Sequence, residues 1–97
     1  MRTITLGDVA AAARRLLDLP SAAHAATVAT LLDRAHAADL FRKRHGRAHP
    51  LWGNGSLMAV SLTGSPVRPK PFSGDPDHLS AMATVIEGIL DWRRRAA

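Results

Sequence analysis

The segment from Gly46 to Gly55 holds the side chains best suited to directional binding. It reads G-R-A-H-P-L-W-G-N-G, and Ser56 follows it. A stretch this rich in glycine and proline is expected at the surface, where loops carry a large share of binding residues. We therefore predict an interaction loop over residues 46–56 that contacts a protein partner, with four candidate side chains: His49, Trp52, Asn54 and Ser56. The alternative is that Trp52 fills the core against Trp92 and the loop is only a turn.

Two clusters of cations could bind phosphate groups, and each is expected where a predicted helix ends. The first contains Arg42, Lys43, Arg44 and Arg47, and the second contains Arg93, Arg94 and Arg95. The helix dipole favours cations at such ends, but this effect explains only one or two of them per helix. If both ends lie on the same side of the protein, about seven positive charges converge, enough for several phosphate contacts. Nucleic acid is therefore the alternative partner.

Motifs for catalysis, metal or cofactor binding are not readable in the chain. No spacing brings three ligands together, so structural roles rather than a metal are expected for the five histidines: His24, His36, His45, His49 and His78. Residues 53–58 nearly match G-x-G-x-x-G, but Met58 replaces the third glycine and no predicted strand precedes it, so no cofactor is expected. An enzyme is the least favoured hypothesis, with no catalytic residue assigned.

The composition indicates the class of protein and its compartment. The chain has 97 residues, a formal net charge of +5 and no cysteine. This length suits one domain, and the lack of cysteine excludes thiol catalysis, disulfides and cysteine-based zinc sites. No apolar run approaches a membrane-spanning length, and no secretory signal is visible. We expect a soluble cytoplasmic protein with no membrane partner.

Helix signals predict one all-α domain over residues 1–97. Three principal helices are expected at about 6–17, 20–44 and 76–95, and a short one at about 56–62. Thr5 and Asp8 form the first start signal, and Gly46 is the predicted C-terminal cap of the second helix. Between the short helix and the last one, residues 64–76 are predicted to form an ordered, extended, proline-rich strap, which Phe72 anchors to the body.

Apolar surface also predicts self-association. The second helix carries a narrow, alanine-rich stripe, and the last helix has the strongest apolar face in the chain. One small protomer is not expected to bury both surfaces, which favours a homodimer.

Three runs of sequence carry a resemblance to a known kind of protein. They are A-H-A-A-D at 35–39, H-P-L-W-G-N-G-S-L-M at 49–58, and P-F-x-x-D-P-D at 71–77 with a Trp-Arg pair near the end. Together they resemble a family of small, uncharacterised, all-α bacterial proteins of about this length. The resemblance spans most of the chain and implies an autonomous protein, but it transfers no chemistry.

Overall fold

The computed structural model describes residues 1–64 and 66–96, and this part of the chain forms a helical fold. The helices are α1 (Leu6–Leu16), α2 (His24–His45), α3 (Leu57–Leu62) and α4 (Pro76–Ala96). A single turn of 3₁₀-helix, Ser21–Ala23, precedes α2. The predicted all-α fold, with three principal helices, a short fourth and a strap before the last, is confirmed.

Helix α1 begins at the signal that the sequence provides. The Thr5 hydroxyl accepts a hydrogen bond from the Asp8 amide at 3.2 Å, and the Asp8 carboxylate accepts one from the Thr5 amide at 2.8 Å. This reciprocal capping box satisfies two amide groups that the first helical turn leaves without partners.

Helix α2 starts later and ends as predicted. After Pro20, residues 21–23 form the 3₁₀ turn, and the regular α-helix begins only at His24. The His24 ring donates from Nε2 to the carbonyl of Leu19, which ties this turn to the preceding chain. At the other end Gly46 has φ 71° and its amide donates to the carbonyl of Arg42, so Gly46 is the left-handed cap.

The core lies where α1, α2 and α4 meet, with α3 covering one side. Leu16, Leu32 and Val85 are fully buried there. Gly88 of α4 lies directly against Val28 of α2, and Trp92 lies next to Asp33, so these two helices run parallel. Helix α2 buries its apolar residues within the protomer: Val28, Leu31, Leu32, Ala35 and Ala38.

Arg14 of α1 and Asp18 just after it, rather than Phe72, hold the strap. Phe72 is 72% exposed, so its predicted role as the anchor is wrong. Arg14 donates from Nε and Nη2 to the carbonyl of Arg68 at 3.0 and 2.8 Å, and Arg68 pairs with Asp18 at 2.7 Å. The carbonyl groups of an extended segment have no partners within that segment. A guanidinium group can therefore bind them and attach the segment without an apolar anchor.

None of the helices in residues 1–64 and 66–96 combines the length and the apolar character needed to cross a membrane.

Candidate functional site

A short hairpin forms the centre of the 46–56 loop. The amide of His49 donates to the carbonyl of Gly53 at 2.8 Å, and the amide of Gly53 donates to the carbonyl of His49 at 3.1 Å. Within this hairpin, His49 Nδ1 accepts hydrogen bonds from the amides of Leu51 and Trp52, both at 3.1 Å. The neutral imidazole therefore carries its hydrogen on Nε2, and His49 acts first as the residue that shapes the turn.

Asn54 and Ser56 also use their side chains to build the loop. Asn54 Oδ1 accepts from the Ser56 amide at 3.0 Å, and Ser56 Oγ accepts from the Ala59 amide at 3.1 Å, which caps α3. Gly53 and Gly55 have positive φ values, 81° and 96°, that allow the chain to turn on either side of Asn54. The side-chain oxygens of both predicted contact residues thus accept hydrogen bonds within the chain.

Trp52 and Trp92 occupy different environments, although both rings pack against the core. The Trp52 ring is stacked on His49 with 4.6 Å between centroids and 6° between planes. Trp92 meets His36 edge-on at 5.4 Å and donates from Nε1 to Asp33 at 2.9 Å. The predicted packing of Trp52 against Trp92 is therefore replaced by packing of Trp52 on its own loop.

We expect Trp52→Ala to lower the free energy of unfolding by about 2 kcal/mol, roughly half the cost at a fully buried aromatic site. The half-buried ring supports both the core and the His49 side chain that closes the hairpin. Trp52→Phe should lose less than half as much, because it keeps a stacking ring. Urea unfolding followed by circular dichroism measures both variants. A Trp52→Ala protein as stable as the wild type would show that the ring has no structural role.

Side chains from α2 meet the hairpin to form what we call the basic aromatic face. It consists of Arg34, Phe41, Arg42, Arg44, His45, Arg47, His49 and Trp52. Phe41 is in contact with the rings of His45 and His49, at centroid distances of 4.4 and 4.9 Å. The guanidinium carbon of Arg34 lies 5.7 Å from the Trp52 ring centroid, and that of Arg47 lies 5.7 Å from the centroid of Phe41. Aromatic rings thus position two cations at opposite parts of this face.

The arginines of this face are exposed, and the three on α2 span about 160° around the helix. Arg34 and Phe41 are two turns apart on the same stripe, and Arg42 and Arg44 flank that stripe by about 80° on either side. Within the described residues, no ion pair to a carboxylate involves Arg34, Arg42, Arg44 or Arg47. Their charge is therefore available to an anionic ligand.

Lys43, the remaining member of the first predicted cluster, points away from the basic aromatic face. Its Nζ lies 3.0 Å from Asp39 Oδ2, one helical turn earlier. The amino-terminal ammonium of Met1 lies 3.6 Å from the same oxygen. Burial of Asp39 opposes ionisation, but these two cations outweigh it, so the pKa of Asp39 falls below its ordinary value.

The ion pair between Asp39 and Lys43 predicts how the free energy of unfolding depends on pH. A carboxylate whose pKa is lowered by folding contributes stability that is complete above its unfolded-state pKa of 3.8. That stability is lost as the pH falls through the lower folded-state pKa. We expect the wild type to lose stability more steeply than Asp39→Asn below about pH 4. Urea unfolding across this range measures it, and parallel curves for the two proteins would contradict the assignment.

The second predicted cluster lies beside the middle of α2 and on another side of it. Trp92 contacts Asp33 and His36, so Arg93, Arg94 and Arg95 lie about two turns before the end of α2 at His45. Asp33 and His36, which contact Trp92, lie about 100° and 160° around α2 from Arg34. Arg94 also pairs with Asp91 at 3.1 Å. The fold therefore does not merge both clusters into one surface.

Two residues of the structure were not predicted from the sequence: Asp8 as a link between two helices, and Arg34 as part of the basic aromatic face. Asp8 is 5% exposed, and besides capping α1 it accepts from the Met58 amide at 2.8 Å. It therefore joins the first turns of α1 and α3. Arg34 has its role because the docked hairpin brings Trp52 against it, and no local spacing signals this contact. In the described residues, no group of three or more potential metal ligands comes together.

Comparison with known proteins places the chain by family alone. Neither the curated proteins nor the solved structures gave a significant match. A family model described as a domain of unknown function, DUF7742, matches residues 2–89. Since this match covers nearly the whole chain, the protein belongs to the DUF7742 family.

Proposed function

We propose that the protein is a nucleic-acid-binding protein that contacts phosphates through the basic aromatic face. The observation that carries the proposal is the placement of Arg34 and Arg47 over the rings of Trp52 and Phe41. A guanidinium group held in this way loses less conformational freedom when it binds a phosphate than a free arginine does. Arg42 and Arg44 add two exposed charges on the flanks.

The charge balance of this region supports a polyanionic partner. Residues 34–58 contain five cationic side chains, and Asp39 is their only carboxylate. Asp39 is buried and already paired, so it does not oppose an approaching anion. Arginine forks bind phosphate oxygens in pairs, and the exposed His45 ring can stack on an unpaired base. Single-stranded nucleic acid therefore fits the chemistry of this face better than a duplex.

Two variants that remove the same charge test the proposal. In the first, Arg42, Arg44 and Arg47 are changed to Gln, and in the second, Arg93, Arg94 and Arg95 are changed to Gln. Binding to a short fluorescent single-stranded DNA is followed by anisotropy, with circular dichroism as the folding control. We expect the first variant to bind at least about tenfold more weakly than the wild type, and the second to lose much less affinity.

Two results would reject this assignment. Equal losses in the two variants would show that binding reflects net charge and not a defined face. Absence of wild-type binding to single-stranded DNA, RNA and duplex at low salt would remove nucleic acid altogether.

A protein-interaction or regulatory module is the second candidate, and Leu51 favours it. Leu51 lies at the tip of the hairpin, and its side chain is 70% exposed, whereas the neighbouring His49 side chain is hydrogen-bonded within the loop. An apolar side chain presented on a fixed turn suits insertion into a pocket of another protein. Leu51→Ser should then abolish recovery of a defined partner while leaving stability and DNA binding unchanged. If the same partner is recovered by both proteins, the hairpin tip is not the contact.

A bacterial cytoplasm is the compartment we propose for either activity. Nucleic acid is accessible there, and a chain without cysteine needs no oxidising environment to fold. Fractionation of cells that express the tagged protein tests the location, and recovery in the membrane or secreted fraction would argue against it.

A further inference from the structure

The outer surface of α4 carries an apolar stripe that the protomer leaves uncovered. Leu79, Ile86 and Leu90 are 53%, 45% and 48% exposed, and Ala83 between them is also exposed. At about 100° per residue, these four positions lie within about 60° of one another around the helix. Val85, which is fully buried, marks the opposite face. We call Leu79, Ala83, Ile86 and Leu90 the α4 stripe.

The α4 stripe has the pattern that a two-fold dimer requires. Leu79 and Leu90 are equally far from a point between residues 84 and 85, and so are Ala83 and Ile86. In an antiparallel pair of α4 helices, Leu79 would meet Leu90 of a second copy, and Ala83 would meet its Ile86. A two-fold interface needs this self-complementarity, and the small Ala83 near its centre allows close approach of the helices.

Charges at the two ends of the stripe favour the same arrangement. Asp75 precedes α4 and Arg93 lies near its end, and both are about 40° from Leu79 around the helix axis. Antiparallel pairing places Asp75 of each copy beside Arg93 of the other. Parallel pairing would place like charges together, and it would also align the helix dipoles unfavourably.

We propose that a second copy of this chain covers the α4 stripe in an antiparallel, two-fold dimer. One helix against one helix buries less than the roughly 800 Å² per partner of a standard stable interface. The dimer should therefore exchange with monomer at concentrations of about 10–100 µM. The inference does not depend on the proposed function, because the α4 stripe and the basic aromatic face share no residue.

Sedimentation over a range of protein concentrations tests the dimer with two matched variants. Ile86→Glu places a charge in the stripe, and Ser80→Glu places the same charge at an exposed position about 100° away from Leu79. We expect Ile86→Glu to weaken self-association by at least about tenfold, since an unpaired charge must be desolvated, and Ser80→Glu to leave it unchanged. A monomeric wild type up to the highest concentration, or equal effects of both variants, would overturn the proposal.

Disulfide cross-linking tests the relative orientation of the two α4 helices. The chain contains no cysteine, so only introduced cysteines can form a disulfide. Leu79→Cys and Leu90→Cys proteins are oxidised separately and as a mixture. Antiparallel pairing predicts rapid disulfide formation between the two different variants in the mixture, where the backbones come close enough. Preferential cross-linking within either single variant would overturn the antiparallel arrangement. Capture of another protein by a monomeric chain through the same stripe would also overturn it.

Discussion

Replacement of Gly55 with alanine is expected to lower the free energy of unfolding by at least about 3 kcal/mol. Gly55 has φ 96°, and a Cβ atom on it would lie 2.7 Å from the Cα of Asp39. The new atom would meet the backbone of α2, which cannot rotate away as a side chain can. Either the loop or the helix must then move, and the hairpin would no longer pack closely against α2.

Gly46→Ala is the matched control for this prediction. Gly46 also has a positive φ, 71°, but apart from its own chain neighbours nothing lies within 4 Å of a Cβ built on it. Its replacement should cost only the strain of the left-handed backbone, about 1 kcal/mol. Urea unfolding followed by circular dichroism compares the two variants. Equal losses would mean that the close contact between Gly55 and Asp39 contributes nothing to stability.

Asp8→Ala is expected to cost about 3 kcal/mol, because it removes a buried acceptor of three hydrogen bonds. The carboxylate accepts from the amide and hydroxyl of Thr5, and from the amide of Met58. Alanine would leave the Met58 amide without a partner at the start of α3. It would also remove half of the capping box of α1. One carboxylate thus stabilises two helix starts that are 50 residues apart in the chain.

Asp18→Ala provides the comparison for an exposed carboxylate. Asp18 forms a 2.7 Å ion pair with Arg68, but its side chain is 55% exposed. Exposed pairs of this kind contribute about 1 kcal/mol or less. Unfolding in urea should therefore separate Asp8→Ala clearly from Asp18→Ala. If both variants lose the same small amount, the Asp8 bridge does not hold α1 and α3 together.

Local signals were enough to predict the helical fold. Thr5 and Asp8 mark the start of α1, and Gly46 marks the end of α2, because caps depend on residues only a few positions apart. Apolar spacing predicted α4 even though the protomer leaves part of its apolar surface exposed. Phe72 was misassigned because burial of an aromatic residue depends on what lies beneath it. At the strap, arginine–carbonyl bonds from α1 provide the attachment instead.

The candidate site was harder to predict, because it is assembled by contacts between distant parts of the chain. The loop could be recognised from its composition, but the sequence did not show that His49, Asn54 and Ser56 direct their side chains inward to shape it. The meeting of Arg34 with Trp52 depends on how the hairpin docks on α2. That docking rests on the contact of Gly55 with Asp39, which no local pattern encodes.

The salt dependence of binding tests the central claim most directly. Association of the wild-type protein with a labelled single-stranded DNA should weaken linearly on a plot of log affinity against log salt concentration. Contacts from the four arginines of the basic aromatic face predict a slope of about −3. A slope near zero, or no association even at low salt, would contradict the proposal that this face binds nucleic acid.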